Sequence, residues 1–285
     1  MARQTYKEFL KREQDINRLT YEGYGDPPLR QEPPRYAKKE ATIQGLGTIF
    51  SCEHPDFKSS LAAIMRECSE VISLRDLAHA RIKQGKYGIL TMHGSFVREG
   101  SLFIPNKENK RILLRESLVL KDPGDYGCYE VAIDELFMPE NFNVAAYLEQ
   151  VGKDNYLILK DTSSVPADRL GEDERAVWLF QDQAKDYGLF LESNAETILN
   201  KLEPTGREIK IPKLNLLCHN TGKDSNRDGY IDAQPRPFAN QLCLLGKDFA
   251  LMSISEIACD SMGEMSGNRI RGLHREPAEG GAQRK

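Results

Sequence analysis

Asp224, Asn226, Asp228 and Asp232 sit two or four residues apart in the run DSNRDGYID, residues 224–232. With the carbonyl of Tyr230 they supply an oxygen at every alternate position. Gly229 stands where a sharp turn is needed, and Ile231 is apolar. An all-oxygen set of this kind suits a hard cation such as Ca2+. The same residues also suit an ordinary turn, because Asn and Asp bond local backbone and Asp-Gly tolerates positive φ. Both readings stand at this point.

In order and spacing the nine residues resemble an EF-hand-type calcium loop, with ligands at its first, third, fifth, seventh and ninth positions. The resemblance implies a calcium site made by Asp224, Asn226, Asp228, Tyr230 and Asp232. It stops at the twelfth position, where Pro235 replaces the expected bidentate Glu, and Pro212 and Pro237 flank the loop. A site without that carboxylate binds weakly and braces a loop rather than catalysing a reaction.

A second constellation is cationic. From Arg81 to Lys121 there are nine basic residues against three acidic ones, whereas residues 122–203 are strongly acidic. Lys107, Lys110, Arg111 and Arg115 lie in the basic stretch, with Tyr87, Phe96 and Phe103 interleaved. Phosphate neutralisation combined with base stacking uses such residues. The alternative is a solvated sheet edge that is guarded by charge against self-association.

Familiar catalytic patterns are sparse. Gly45-Leu46-Gly47 begins like a dinucleotide loop, but Phe50 occupies the third glycine position. Lys223 follows Gly222, yet Leu217 and Asp224 stand where a phosphate loop needs glycine and Ser or Thr. His93 and Ser95 share a strand face, so a Ser–His pair is conceivable. Cys52, His54, Cys218 and His219 lack a standard zinc spacing.

The elements that must position these residues read as α+β: an antiparallel sheet packed with two long amphipathic helices. The first helix spans 56–84, with Phe57, Leu61, Ile64, Cys68, Val71, Ile72 and Ala78 at helical spacing and Gly85 at its end. The second spans 172–201, on Val177, Phe180, Ala184, Tyr187, Phe190 and Leu191, with Gly188 a candidate bend. Trp178 is either core or an interface anchor. Strands are expected at 41–50, 87–93, 95–104, 111–120, 128–133, 156–160, 208–217 and 241–246, and a short helix near 143–150. Residues 1–37 read as a short helix and an extended Pro-rich arm, 38–263 as the α+β core with a candidate division into two subdomains near 162–171, and 264–285 as a flexible basic tail.

The chain has 285 residues, 40% hydrophobic and 29% charged, with a net charge of -4. That is enough apolar material for a packed core, and the overall balance calls for neither nucleic acid nor membrane. The charged start, MARQTYKEFLKREQD, argues against export, and the six scattered cysteines suit reduced thiols, so the cytoplasm is expected. Three function classes follow. The preferred one is a non-enzymatic interaction or regulatory subunit that acts through a protein partner. The others are a nucleic-acid-binding accessory protein that uses residues 81–121, and an enzyme whose site is assembled from scattered residues.

Overall fold

Glycine turns the chain back on itself at the start of the core. Gly45 takes φ +77°, and Leu46 N–H donates to Ile43 O at 3.0 Å. The segment read as one broken strand is therefore a hairpin of β1 (Lys38–Ile43) and β2 (Gly47–Cys52). A computed structural model describes residues 36–52, 57–104, 110–124, 136–160, 163–202, 213–214, 237–244, 257–259 and 269–276. The Pro-rich arm up to residue 35, the loop at 224–232 and the strand expected at 128–133 lie outside the described residues.

The helix expected over 56–84 is two helices on opposite faces of the sheet. Helix α1 (Phe57–Glu67) packs Phe57, Leu61 and Ile64 on one face. Residues 68–73 then extend. Strand β3 (Glu70–Val71) pairs with the last strand, and Ile72 N–H donates to Arg271 O at 2.9 Å. Ser73 caps α2 (Leu74–Gln84) by accepting from Asp76 N–H, and Gly85 at φ +79° ends it. Leu74, Leu77 and Ala78 face the other side of the sheet. The apolar spacing ran on through both helices because each buries one stripe, and spacing alone does not reveal a change of face.

Residues 87–93 form a helical turn, α3 (Ile89–Met92), rather than a strand; only Leu90 and Thr91 within it are buried. Strand β4 (Ser95–Ile104) matches its expected limits and is the hub of the sheet. Strand β5 (Lys110–Leu114) ends before Ser117, whose side chain caps the short α4 (Leu118–Lys121). Then come β6 (Leu136–Phe137), α5 (Val144–Val151) capped by Asn143, β7 (Tyr156–Leu159) and β8 (Val165–Pro166).

The second long helix is also broken, at Gln181 rather than at Gly188. Asp173 caps α6 (Glu174–Phe180), Gln181 takes φ +54°, and α7 (Ala184–Leu202) starts afresh. Gly188 does not bend α7. It lets the helix lie on the turn at 167–169, where a Cβ would stand 2.3 Å from Ala167 O. The last strands are β9 (Lys213–Leu214), β10 (Phe238–Leu244), β11 (Ile257–Cys259) and β12 (Arg269–Arg275).

The main path of the sheet runs β1-β2-β12-β4-β10-β11, with β5 joining β4 to β7. The pairings are antiparallel except β12 with β4, so the sheet is mixed and the fold is α+β. Strands from before and after residues 162–171 interleave in this sheet. Residues 269–275, expected to be part of a flexible tail, lie in its middle, between β2 and β4. Ile270 and Leu273 bury on opposite faces, and of the arginines that gave the segment a tail-like composition only Arg275 is exposed, while Arg271 is buried. Gly272 is required there: a Cβ would meet Ile64 Cγ2 at 2.5 Å and Cys68 Sγ at 2.7 Å. Gly272→Ala therefore pushes α1 off the sheet and costs about 1–3 kcal/mol, to be read from the shift of a urea unfolding curve. An unshifted midpoint would show that α1 yields freely.

Candidate functional site

The basic stretch is taken apart by the fold. Arg81 is fully buried, donating to the carbonyls of Leu90 (2.8 Å), Leu244 (3.1 Å) and His93 (3.2 Å) and to Tyr187 Oη (3.1 Å). Arg98 is bound by Glu70 at 2.8 Å. Arg111 lies over the Phe103 ring, and the Arg115 guanidinium stacks 3.9 Å from the centre of the Trp178 ring. Lys110 opens β5; Lys107 lies outside the described residues. Arg111 and Arg115 share one side of their segment by alternation, but Arg81 and Arg98 do not extend it into a continuous cationic face.

The other sequence candidates scatter. Ser95 is buried and donates to Phe96 O at 3.0 Å. The carbonyl of His93 accepts from Arg81 and Arg271. Cys52 is buried and free, and His54, Cys218 and His219 lie outside the described residues. All five calcium-loop residues also lie outside them. No group of His, Cys, Asp and Glu that could hold a metal ion occurs among the described residues.

Two charge networks serve the fold. Arg271, fully buried, grips Glu40 with both arms of its guanidinium: Nη2 donates to Oε1 at 2.8 Å and Nε to Oε2. Its Nη1 donates to Gly94 O at 3.0 Å, and Arg269 adds a bond to Glu40 at 3.0 Å. Burial opposes ionisation of Glu40, but the bonds and charge of Arg271, with Arg269 behind it, hold its carboxyl below the ordinary carboxylate range. The second network is a chain of alternating charge: Arg98, Glu70, Arg275, Asp76, Arg75, Asp182. It ties β4, β3, β12, α2 and the turn at 181–183 together.

Glu99 is different. It is fully buried on β4, and its Oε2 accepts from Leu74 N–H, the first residue of α2, at 2.9 Å. Among the described residues its Oε1 has no hydrogen-bond partner, nor does Nη1 of Arg115. Burial pushes the Glu99 carboxyl up to about 7, against the pull of the Leu74 amide and the charges of Arg98 and Arg115. Sequence reading missed this residue. The signal was available: Glu99 is the one acidic side chain of β4, a strand most of whose residues are buried.

Among the described residues, open ground lies beside β7. This strand pairs with β5 alone among the described residues. Arg115 N–H donates to Asn155 O at 3.0 Å, in the register that pairs Leu113 with Leu157 and Arg111 with Leu159. Antiparallel ladders alternate, so Tyr156 and Ile158 turn their backbone N–H and C=O away from β5. A cleft of about 540 Å3 lies along this strand. Tyr156, Leu157 and Ile158 line one side, with Lys153 and Lys160 at the ends; Asp173, Glu174 and Arg175 line the other. Arg175 and Asp173 neutralise each other at 2.8 Å, and Ile158 is 43% exposed. Trp178, one turn along α6 from Glu174, packs against the core cluster that takes in Leu157.

No protein-family model matches this chain, and no curated protein matches it. It is similar to a solved structure described as "Accommodation of massive sequence variation in Nanoarchaeota by the C-type lectin fold". The identity is 11% and the TM-score 0.45, over 83% of this chain and 100% of the other. No residue's role passes from one to the other. Among the described residues no helix is long and apolar enough to cross a membrane.

Proposed function

We propose that this chain is a non-catalytic recognition module that binds an extended segment of a protein partner as an added strand along β7. The observation that carries the reading is the outward row of N–H and C=O groups at Tyr156 and Ile158, set along an open cleft. Main-chain hydrogen bonds give such an added strand its affinity, and side-chain contacts give it specificity. Lys153 and Lys160, exposed at the two ends, favour a segment with acidic flanks. Ile158 and the rim of the cleft favour an apolar residue between them. Edge strands are ordinarily shielded by charge, bulges or a covering element. Here the charge stands at the ends of the strand, and its middle is apolar.

A display library of ten-residue peptides tests this. The selected peptides carry acidic flanks around an apolar centre. Ile158→Pro removes an outward N–H without touching the ladder to β5, and proline is tolerated at such an edge position. It weakens binding about tenfold or more, the loss of one well-made hydrogen bond and its neighbours, with an unchanged melting temperature. Equal binding by Ile158→Pro, or a library that returns no binder, overturns the reading. A single-stranded oligonucleotide that binds with a steep salt dependence, lost on Arg111→Glu, would favour the nucleic-acid alternative instead.

A further inference from the structure

Glu99 and Arg115 carry opposite charges and act on one another electrostatically, yet they are not hydrogen-bonded. One carboxylate oxygen of Glu99 and one nitrogen of Arg115 are buried without partners. Buried polar atoms in that state are rare, and carboxylate–guanidinium bonds are among the strongest that such atoms can make. The Arg115 guanidinium instead lies over the Trp178 ring, its Cζ 3.9 Å from the ring centre, and its own backbone N–H is fixed to Asn155 O. Only its side chain is left free to choose between the ring and the carboxylate.

We propose that Glu99, Arg115 and Trp178 form a proton-operated switch. With Glu99 protonated, Arg115 is stacked on Trp178, the arrangement described above. When Glu99 gives up its proton to solvent, the guanidinium leaves the ring and bonds the Oε1 of Glu99.

The surroundings of Glu99 leave few other candidates for this role. From α2 it receives the Leu74 N–H. Asp76, in the first turn of α2, is committed to Arg275 and Arg75. Arg98, its neighbour on β4, is held by Glu70. Strand β10 presents the uncharged Gln241, whose Nε2 donates to the carbonyls of Val97 and Glu99. Among the described residues, Arg115 is thus the cation acting on Glu99 whose charge is not taken by another carboxylate. Burial places the titration close to pH 7. The switch stands independently of the binding reading, although α6, which carries Trp178, also forms one wall of the cleft.

Trp178 is the single tryptophan of the chain, so its fluorescence reports the stack directly. The full-length protein is titrated from pH 5 to pH 8.5, with circular dichroism confirming that it stays folded. The expected result is one change in tryptophan emission with a midpoint near pH 7, absent in Glu99→Gln. Where Glu99→Gln does not fold, Arg115→Met serves: it keeps Glu99 but removes the moving charge, and its trace is flat if the switch operates. A transition that arises elsewhere in the chain would persist in both variants, and such persistence overturns the proposal. So does a flat trace in the unmodified protein.

Discussion

Alanine at Glu40 lowers the unfolding free energy at pH 7 by about 3–5 kcal/mol, the cost of breaking one half of a buried ion pair. Both side chains are out of solvent, and Arg271 contributes three of its donors to Glu40 and Gly94. Glu40→Ala leaves the guanidinium buried with carbonyls alone for company. The effect also spreads, because Arg271 sits at the junction of β1, β12 and the turn at His93 and Gly94. Glu40→Leu combined with Arg271→Met removes both charges and recovers much of the loss, since apolar replacements of a buried pair are often neutral or better. Urea unfolding at pH 7 reads all three proteins. A Glu40→Ala loss below about 1 kcal/mol, the value for a surface pair, would mean that water reaches the site. The sign with pH follows from the lowered carboxyl. This contribution is present above the ordinary Glu range and is lost as pH falls through it toward the folded value.

Glutamine at Glu99 works in the opposite direction. Its carboxyl rises from 4.5 to about 7 on folding. The stability contributed by the protonated form is complete below about pH 4.5 and is lost as pH rises through 7. At about 1.36 kcal/mol per pKa unit, the native state forfeits about 3 kcal/mol by pH 8. Glu99→Gln keeps the shape, carries no charge and does not forfeit it. The variant therefore matches the parent protein near pH 4.5 and exceeds it by up to about 3 kcal/mol at pH 8. Unfolding curves at the two pH values decide the matter. A difference that does not grow with pH would mean that Glu99 is ionised throughout.

The apolar pattern made most of the sheet and helix content legible. Strand β4 has its expected limits, α2 ends at Gly85, and Asn143 and Asp173 cap helices close to where the sequence placed them. The breaks at 68–73 and 181–183 were not legible, because what breaks the helices is tertiary. Glu70 and Val71 extend to pair with β12, and Gln181 accepts positive φ so that α7 can return over the sheet. The C-terminal segment misled for a related reason. Its arginines look like a solvated tail in composition, but Arg271 is the core partner of a carboxylate 231 residues earlier. Nothing local in the sequence announces that pairing.

The candidate site was half visible. YLILK reads as a strand from its apolar content. That β7 pairs with β5 alone among the described residues, with the backbone N–H and C=O of Tyr156 and Ile158 turned away from β5, depends on its register with β5. The basic stretch shows the reverse error. Its charges are real in sequence, but Arg81 is spent on backbone carbonyls in the interior and Arg98 on Glu70. The five N–H donors of a planar guanidinium, which can satisfy several carbonyls at once, explain why arginines reappear inside this fold.

Amide hydrogen exchange with and without the tightest selected peptide tests the central claim most directly. The account predicts that exchange at Tyr156 and Ile158 slows about tenfold or more on binding, while Leu157 and Leu159, already bonded to β5, change little. Protection confined to other segments, with Tyr156 and Ile158 exchanging as fast as in the free protein, would contradict it.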